Sequence, residues 1–185
     1  MSERDRFLSL KRLSLLQNVF HNEHGFVGVG SDWIVRLKGV ASDNPLRRAR
    51  LCLHRSDDEL LHEMIIALTR DCIFAPHRHE AKSESYHMIE GRMIFIMFEN
   101  DGTPSRAVLL TPPAHGGMIC FRISQPIYHA VLPVDDVVYQ ETTTGPFKKG
   151  DATVAPWAPS DTHDLAAYLE RAALSCGLSR SDLRK

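Results

Sequence analysis

HRHEAKSESYHMIEG, residues 77–91, is the stretch on which the reading of this chain turns. On an extended backbone side chains alternate between faces, so His77 and His79 point the same way and Arg78 points the other. After four intervening residues Glu84 offers a carboxylate, with room for a turn that brings it onto the next strand. Gly91 supplies the backbone freedom of a tight strand-to-strand connection. Imidazole and carboxylate together suit a borderline divalent metal such as Zn, Fe, Ni or Mn. Such a set needs one more ligand from a distant strand, and His129, in Ile127-Tyr128-His129-Ala130-Val131-Leu132-Pro133, is the candidate.

The surrounding residues predict short strands. Cys72–His79, Glu84–Glu90 and Arg92–Phe98 follow one another, with Asn100-Asp101-Gly102 marking a hairpin before Arg106–Leu110. Met118–Ile123, Tyr128–Leu132 and Val137–Thr142 complete the series. Upstream, Arg48–His54 alternates, and Met64–Thr69 is apolar throughout, as a strand buried on both faces is. Many short strands between turns indicate an all-β sandwich or barrel. Helices are expected at the two ends. Phe7, Leu10, Leu13 or Leu16 and Phe20 recur at helical spacing. Ser31 and Asp32 are placed to cap a helix carrying Trp33, Ile34, Leu37 and Ala41, which Asn44-Pro45 stops. Asp164–Cys176 has Leu165, Tyr168, Leu169, Ala172 and Cys176 on one face, with Gly177 after it.

Four features together resemble a known family. HxH-x4-E-x6-G, with a lone His about fifty residues on, is similar to the two metal motifs of the cupin superfamily. NPLRRARLCLH (44–54), VVYQETTTGPF (137–147) and APWAP (155–159) extend the similarity to the WbuC-type cupin-fold metalloproteins, over roughly residues 40–160. The first metal motif is complete; in the second, Ser124-Gln125-Pro126-Ile127-Tyr128-His129 replaces the superfamily's Pro-x-Gly-x-x-His. The resemblance implies a mainly β fold, the cupin double-stranded β-helix or jelly-roll-like barrel over 46–160. An N-terminal helical extension (1–45) would precede it and a C-terminal helix (161–185) would pack on it, all as one domain. It implies one divalent transition metal at His77, His79, Glu84 and His129. It also implies an association with surface-polysaccharide metabolism, hence a sugar or sugar-nucleotide derivative as substrate class, and pairing into a homodimer through the N-terminal segment.

The polar face of 48–54 carries Arg48, Arg50 and His54, and Lys82 lies between His79 and Glu84. If that face turns inward, these side chains form an anion subsite at the cavity mouth, suited to an anionic sugar ligand. Tyr86 and Met88 are in phase with Glu84 and expected to line the cavity, with Tyr86 a candidate proton donor. His87 is out of phase and expected to face away; His62, His115 and His163 are expected at the surface or behind the site. Metal-dependent isomerisation or epimerisation, oxygenation as in a cupin dioxygenase, and non-catalytic carbohydrate binding all remain open. A complete metal motif argues against the metal-free epimerase chemistry of this fold, which uses a His-Asp and Tyr apparatus.

Composition excludes other classes. A length of 185 residues with 43% apolar and 24% charged residues is enough for one core, and the net charge of -1 gives no sign of a nucleic-acid partner. Gly25, Gly28 and Gly30 lack the context of a phosphate loop. Cys52, Cys72, Cys120 and Cys176 form no CxxC pair and read as small buried apolar residues. No apolar run is long enough for a membrane span, and a cytoplasmic location is expected.

Overall fold

Why the strands pair as they do follows from which of them are apolar on both faces. In the computed structural model, which describes residues 18–124 and 126–184, eleven strands form two sheets. In chain order they are β1 (Val19–His21), β2 (Arg48–Cys52), β3 (Leu61–Leu68), β4 (His77–His79) and β5 (Glu84–Glu90). Then come β6 (Met93–Phe98), β7 (Pro104–Leu110), β8 (Cys120–Ile123), β9 (Tyr128–Pro133), β10 (Val137–Thr144) and β11 (Ala152–Val154). The first sheet runs β1-β2-β3-β10-β5-β8 and the second β11-β4-β9-β6-β7. All pairings are antiparallel except β1 with β2.

The two inner faces enclose Met64, Met88, Phe95, Val131 and Tyr139, among others. Each outer face is also covered. Helix α1 (Ser31–Asp43) lays Trp33, Ile34, Leu37 and Ala41 on Ala49, Leu51, Ile65 and Val138. Helix α2 (Thr162–Ser175) lays Leu165, Leu169, Ala172 and Ala173 on Ile94, Ile96 and Leu132. This double coverage is why β6 and most of β3 are continuous apolar runs rather than alternating ones.

Local chemistry fixes the ends. Asp161 caps α2 by accepting from the His163 and Asp164 amides at 2.9 and 3.0 Å. For α1 the expected cap is displaced: Gly30 is the N-cap with no side-chain bond, and Ser31 and Asp32 lie inside the first turn. There Asp32 faces the positive end of the helix dipole instead. The C-terminal signals hold, with Asn44 capping α1 and Gly177 following α2 at φ +92°. The 72–79 strand shrinks to His77–His79, and β8 starts at Cys120 rather than Met118. Cys52 and Cys72 are buried as expected, whereas Cys120, on an edge strand, is exposed. The expected helix around Phe7, Leu10, Leu13 and Leu16 lies outside the described residues; Phe20 is a buried strand residue.

Gly91 joins β5 to β6 at φ +72°, and a β-carbon there would stand 2.3 Å from the Asp136 carbonyl oxygen. Backbone strain and a backbone clash act together. Gly91→Ala is therefore expected to destabilise the protein by about 2–3 kcal/mol. A melting temperature lowered by several degrees checks it; no change would mean that the turn relaxes freely.

Candidate metal centre

The site is assembled from both sheets. The extended β4 backbone directs His77 and His79 inward and Arg78 outward, where Arg78 lies 4.8 Å over the Tyr128 ring and bonds Glu80 at 2.7 Å. Cross-strand register sets His129 of β9 directly opposite His77. The facing sheet contributes Glu84, the first residue of β5, whose inward set continues through Tyr86 and Met88 while His87 points outward. Each of His77, His79 and His129 offers a nitrogen within 4.8 Å of the other two. Glu84 Oε1 lies 3.3 Å from His79 Nε2, and its Oε2 lies 3.2 Å from His129 Nε2.

These contacts lack what a buried network normally has. Glu84 Oε2 and His129 Nε2 are fully shielded from solvent, yet their 3.2 Å approach does not have hydrogen-bond geometry, and neither atom has another partner. Buried polar atoms left so are rare and call for a reason. Two donors each about 2.1 Å from one ion, at tetrahedral or octahedral angles, lie roughly 3.0–3.4 Å apart. The observed spacing matches that of atoms converging on a common cation, so the residues present suit a metal.

Orientation and protonation agree. Nδ1 of His129 lies 2.9 Å from the Ile127 carbonyl and Nδ1 of His77 lies 3.3 Å from that of Ala75, which turns Nε2 of each toward the centre. The second motif thus still delivers His129 without its usual glycine. Burial lowers the His77 pKa to about 4, the neighbouring His129 adding to the effect, and burial also lowers that of His79. Both imidazoles are neutral at neutral pH, as metal ligation requires. Burial alone would raise the Glu84 pKa, but His129 and His79 outweigh it and hold the carboxyl below its ordinary range. The result is a histidine triad, His129 buried and His77 and His79 half-buried, with an ionised carboxylate beside it.

The centre opens into a cavity of about 790 Å³ between the sheets. Arg48, Arg50, His54, Lys82 and Tyr86 all line it, so these side chains and the histidine cluster face one space. Their chemistry differs from expectation in three respects. Arg48 and Arg50 are exposed at the mouth, Arg48 with its guanidinium 5.8 Å from the Phe74 ring. Lys82 is already paired, 3.2 Å from Asp151 and 5.3 Å from the Phe147 ring. His54 is buried and stacked on His62 at 4.0 Å, and burial together with the His62 ring lowers its pKa, so it adds no charge. His62 is thus buried too, whereas His115 and His163 are exposed. The Tyr86 hydroxyl is fully enclosed, and burial raises its pKa well above 10.

Two cavity carboxylates were not among the expected residues, Asp57 and Glu141. Glu141 is the more informative. Burial pushes its pKa up to about 8, the Glu84 charge adding to this and Arg50 and Lys82 opposing it. Alternation along β10 was the available signal: Tyr139, Glu141 and Thr143 share the inward phase.

Among known proteins, residues 30–110 match a family described as a domain of unknown function (DUF6016). No curated protein matches the chain. Protein SO0799 from Shewanella oneidensis superposes with a TM-score of 0.50 at 13% identity, over 85% of this chain and 99% of that one. A salicylate 1,2-dioxygenase mutant from Pseudoaminobacter salicylatoxidans, in complex with gentisate, superposes with a TM-score of 0.50 at 12% identity, over 69% of this chain and 37% of that one. The chain has the cupin fold. KdgF from Halomonas sp. is also similar, at 17% identity and a TM-score of 0.41, over 55% of this chain and 80% of that one. At such identities the likeness is one of fold. The cupin fold explains the placement of the cluster, between two jelly-roll sheets that each contribute candidate ligands. No helix among the described residues is long and apolar enough to cross a membrane.

Proposed function

We propose that this cupin is a WbuC-type metalloprotein that holds one divalent ion at His77, His79, His129 and Glu84 and acts on an anionic sugar derivative. The carrying observation is three histidine nitrogens within 4.8 Å of one another, two of them 3.2–3.3 Å from the Glu84 carboxylate, whose buried Oε2 has no hydrogen-bond partner. When bound, the ion supplies Lewis acidity to a carbonyl or hydroxyl oxygen of the ligand. The chain's own residues do the rest: Arg50 and Arg48 attract negative charge to the mouth, and the apolar wall of Met64, Ile66, Phe74 and Val131 excludes water. Cavity charge supports an anionic ligand. Lys82 is paired with Asp151 and Glu141 holds its proton at neutral pH, which leaves Arg48 and Arg50 against Asp57 and Glu84, so a bound divalent ion gives an excess of positive charge for the ligand to meet. The substrate class and the role in surface-polysaccharide metabolism follow from the family resemblance, and metal-dependent isomerisation or epimerisation is the reaction we favour. Elemental analysis of protein purified without added metal tests the centre: one divalent ion per chain is expected, and none would refute it.

Because Arg50 is exposed, its contribution is that of a rim charge rather than a buried one. Arg50→Ala is expected to weaken binding of a sugar phosphate about tenfold by calorimetry while metal content stays unchanged. Equal affinity of wild type for neutral and charged sugars would return the arginine to a solvent role.

A homodimer formed through the N-terminal segment is proposed as well. Light scattering should give twice the chain mass at micromolar concentration. A clean monomer that stays stable after deletion of residues 1–30 would rule this out.

A further inference from the structure

Glu141 is not among the proposed metal ligands. It stands midway along β10, its cross-strand partners being Tyr86 on β5 and Met64 on β3. Two residues further on, Thr143 lies directly opposite Glu84. Two strand residues span about 7 Å, so Glu141 stands one step along the sheet from the carboxylate of the histidine cluster. Its side chain opens onto the cavity, while Tyr86, Tyr139 and Met64 around it are buried. Two carboxyl groups on one cavity wall thus have opposite surroundings. Glu84 is gripped by imidazoles, whereas Glu141 lies among aromatic and thioether side chains with Arg50 and Lys82 close enough to act on its charge. Paired carboxyls held in such contrast are how acid–base sites divide their roles.

We propose that Glu141 is the proton-transfer residue of this cavity, exchanging a proton with the carbon next to the carbonyl of a sugar held at the histidine cluster. The proposal rests on the metal-centre reading given above. In the step, the Glu141 carboxylate takes the proton from that carbon. The C–H electron pair forms a carbon–carbon double bond, and the carbonyl π pair moves onto its oxygen, giving an enediolate and a neutral Glu141. Return of the proton to the former carbonyl carbon, with the hydroxyl proton passing between the two oxygens, restores the carboxylate. The net change is an aldose–ketose exchange that needs neither oxidant nor reductant.

The test uses the full chain loaded with its metal, in D2O, with D-fructose, D-fructose 6-phosphate or D-galacturonate as probe. Deuterium entering the carbon beside the carbonyl is followed by proton NMR. Metal content and probe affinity are measured on the same samples. Wild type is expected to exchange in at least one probe. Glu141→Gln is expected to lose at least about a hundredfold in exchange rate while keeping its metal and binding the probe within about threefold of wild type. Glu141→Asp, which keeps the acid on a shorter stem, is expected to retain measurable exchange. Metal-loaded wild type that exchanges no probe, or Glu141→Gln that exchanges as wild type does, would overturn the role of Glu141 and leave the metal centre standing. Wild type that holds no metal would remove the metal centre, and the proton-transfer role with it.

Discussion

Glu84→Ala should leave a folded protein that no longer retains its metal, with affinity reduced about a hundredfold or more. The carboxylate is the anionic member of the ligand set and the only one on the sheet facing the three histidines, so nothing else among them can replace its charge. Its loss has little consequence for folding, because Glu84 opens β5 and the strand is held by backbone pairing to β10 and β8. Circular dichroism should therefore match wild type while elemental analysis falls to background. The double variant His77→Ala plus Glu84→Ala should be emptier still. Stoichiometric metal in the double variant would sink the assignment of these ligands.

Glu141→Gln should stabilise the metal-free protein at alkaline pH. The folded carboxyl has a pKa of about 8 against an ordinary 4.5. Between those values the unfolded chain has released the proton that the folded chain still holds, so stability falls as pH rises from about 4.5 to 8 and levels off above. A shift of this size corresponds to a loss on the order of a few kcal/mol, all of it present above pH 8 and none below pH 4.5. Glutamine keeps the shape without the titration. Melting curves in the presence of a chelator should diverge with rising pH, the variant ahead by several degrees at pH 8 and level with wild type at pH 4.5. Parallel curves across that range would mean that Glu141 is solvated like any surface carboxylate.

The cost that Glu141 imposes also explains why it escaped the sequence. His77, His79 and Glu84 are legible because metal ligands fall at fixed offsets on a strand and its turn, where two-residue periodicity is strict. Glu141 sits in VVYQETTT, where Gln140 and Thr142 supply polar neighbours on the opposite face, so a half-buried cavity acid looks like part of a solvated run. Its meaning depends on Tyr86 and Met64, which reach it only through pairing with β5 and β3. The same limit applies to β1 and β11, three residues each and too short to show a period. It applies also to Lys82, whose charge is taken up by Asp151 from a segment far along the chain. The doubly buried runs of β3 and β6 and the amphipathic face of α2 carried their own signal, since local periodicity reports local burial.

The order of strands in the sheets bears on how the protein is made. In the first sheet β10 lies between β3 and β5, and in the second β9 lies between β4 and β6. Both of these central strands emerge from the ribosome after the partners they join. Until about residue 144 is out, the apolar strands Leu61–Leu68 and Met93–Phe98 lack a neighbour on one edge, and long-range pairing of this kind forms slowly. Residues 30–110, the span shared with the related family, therefore make up only part of each sheet and would not close a core if expressed alone. His129 arrives with β9, so the four proposed ligands come together only when both sheets are nearly complete. For an ion held as proposed, capture is a late event in biogenesis.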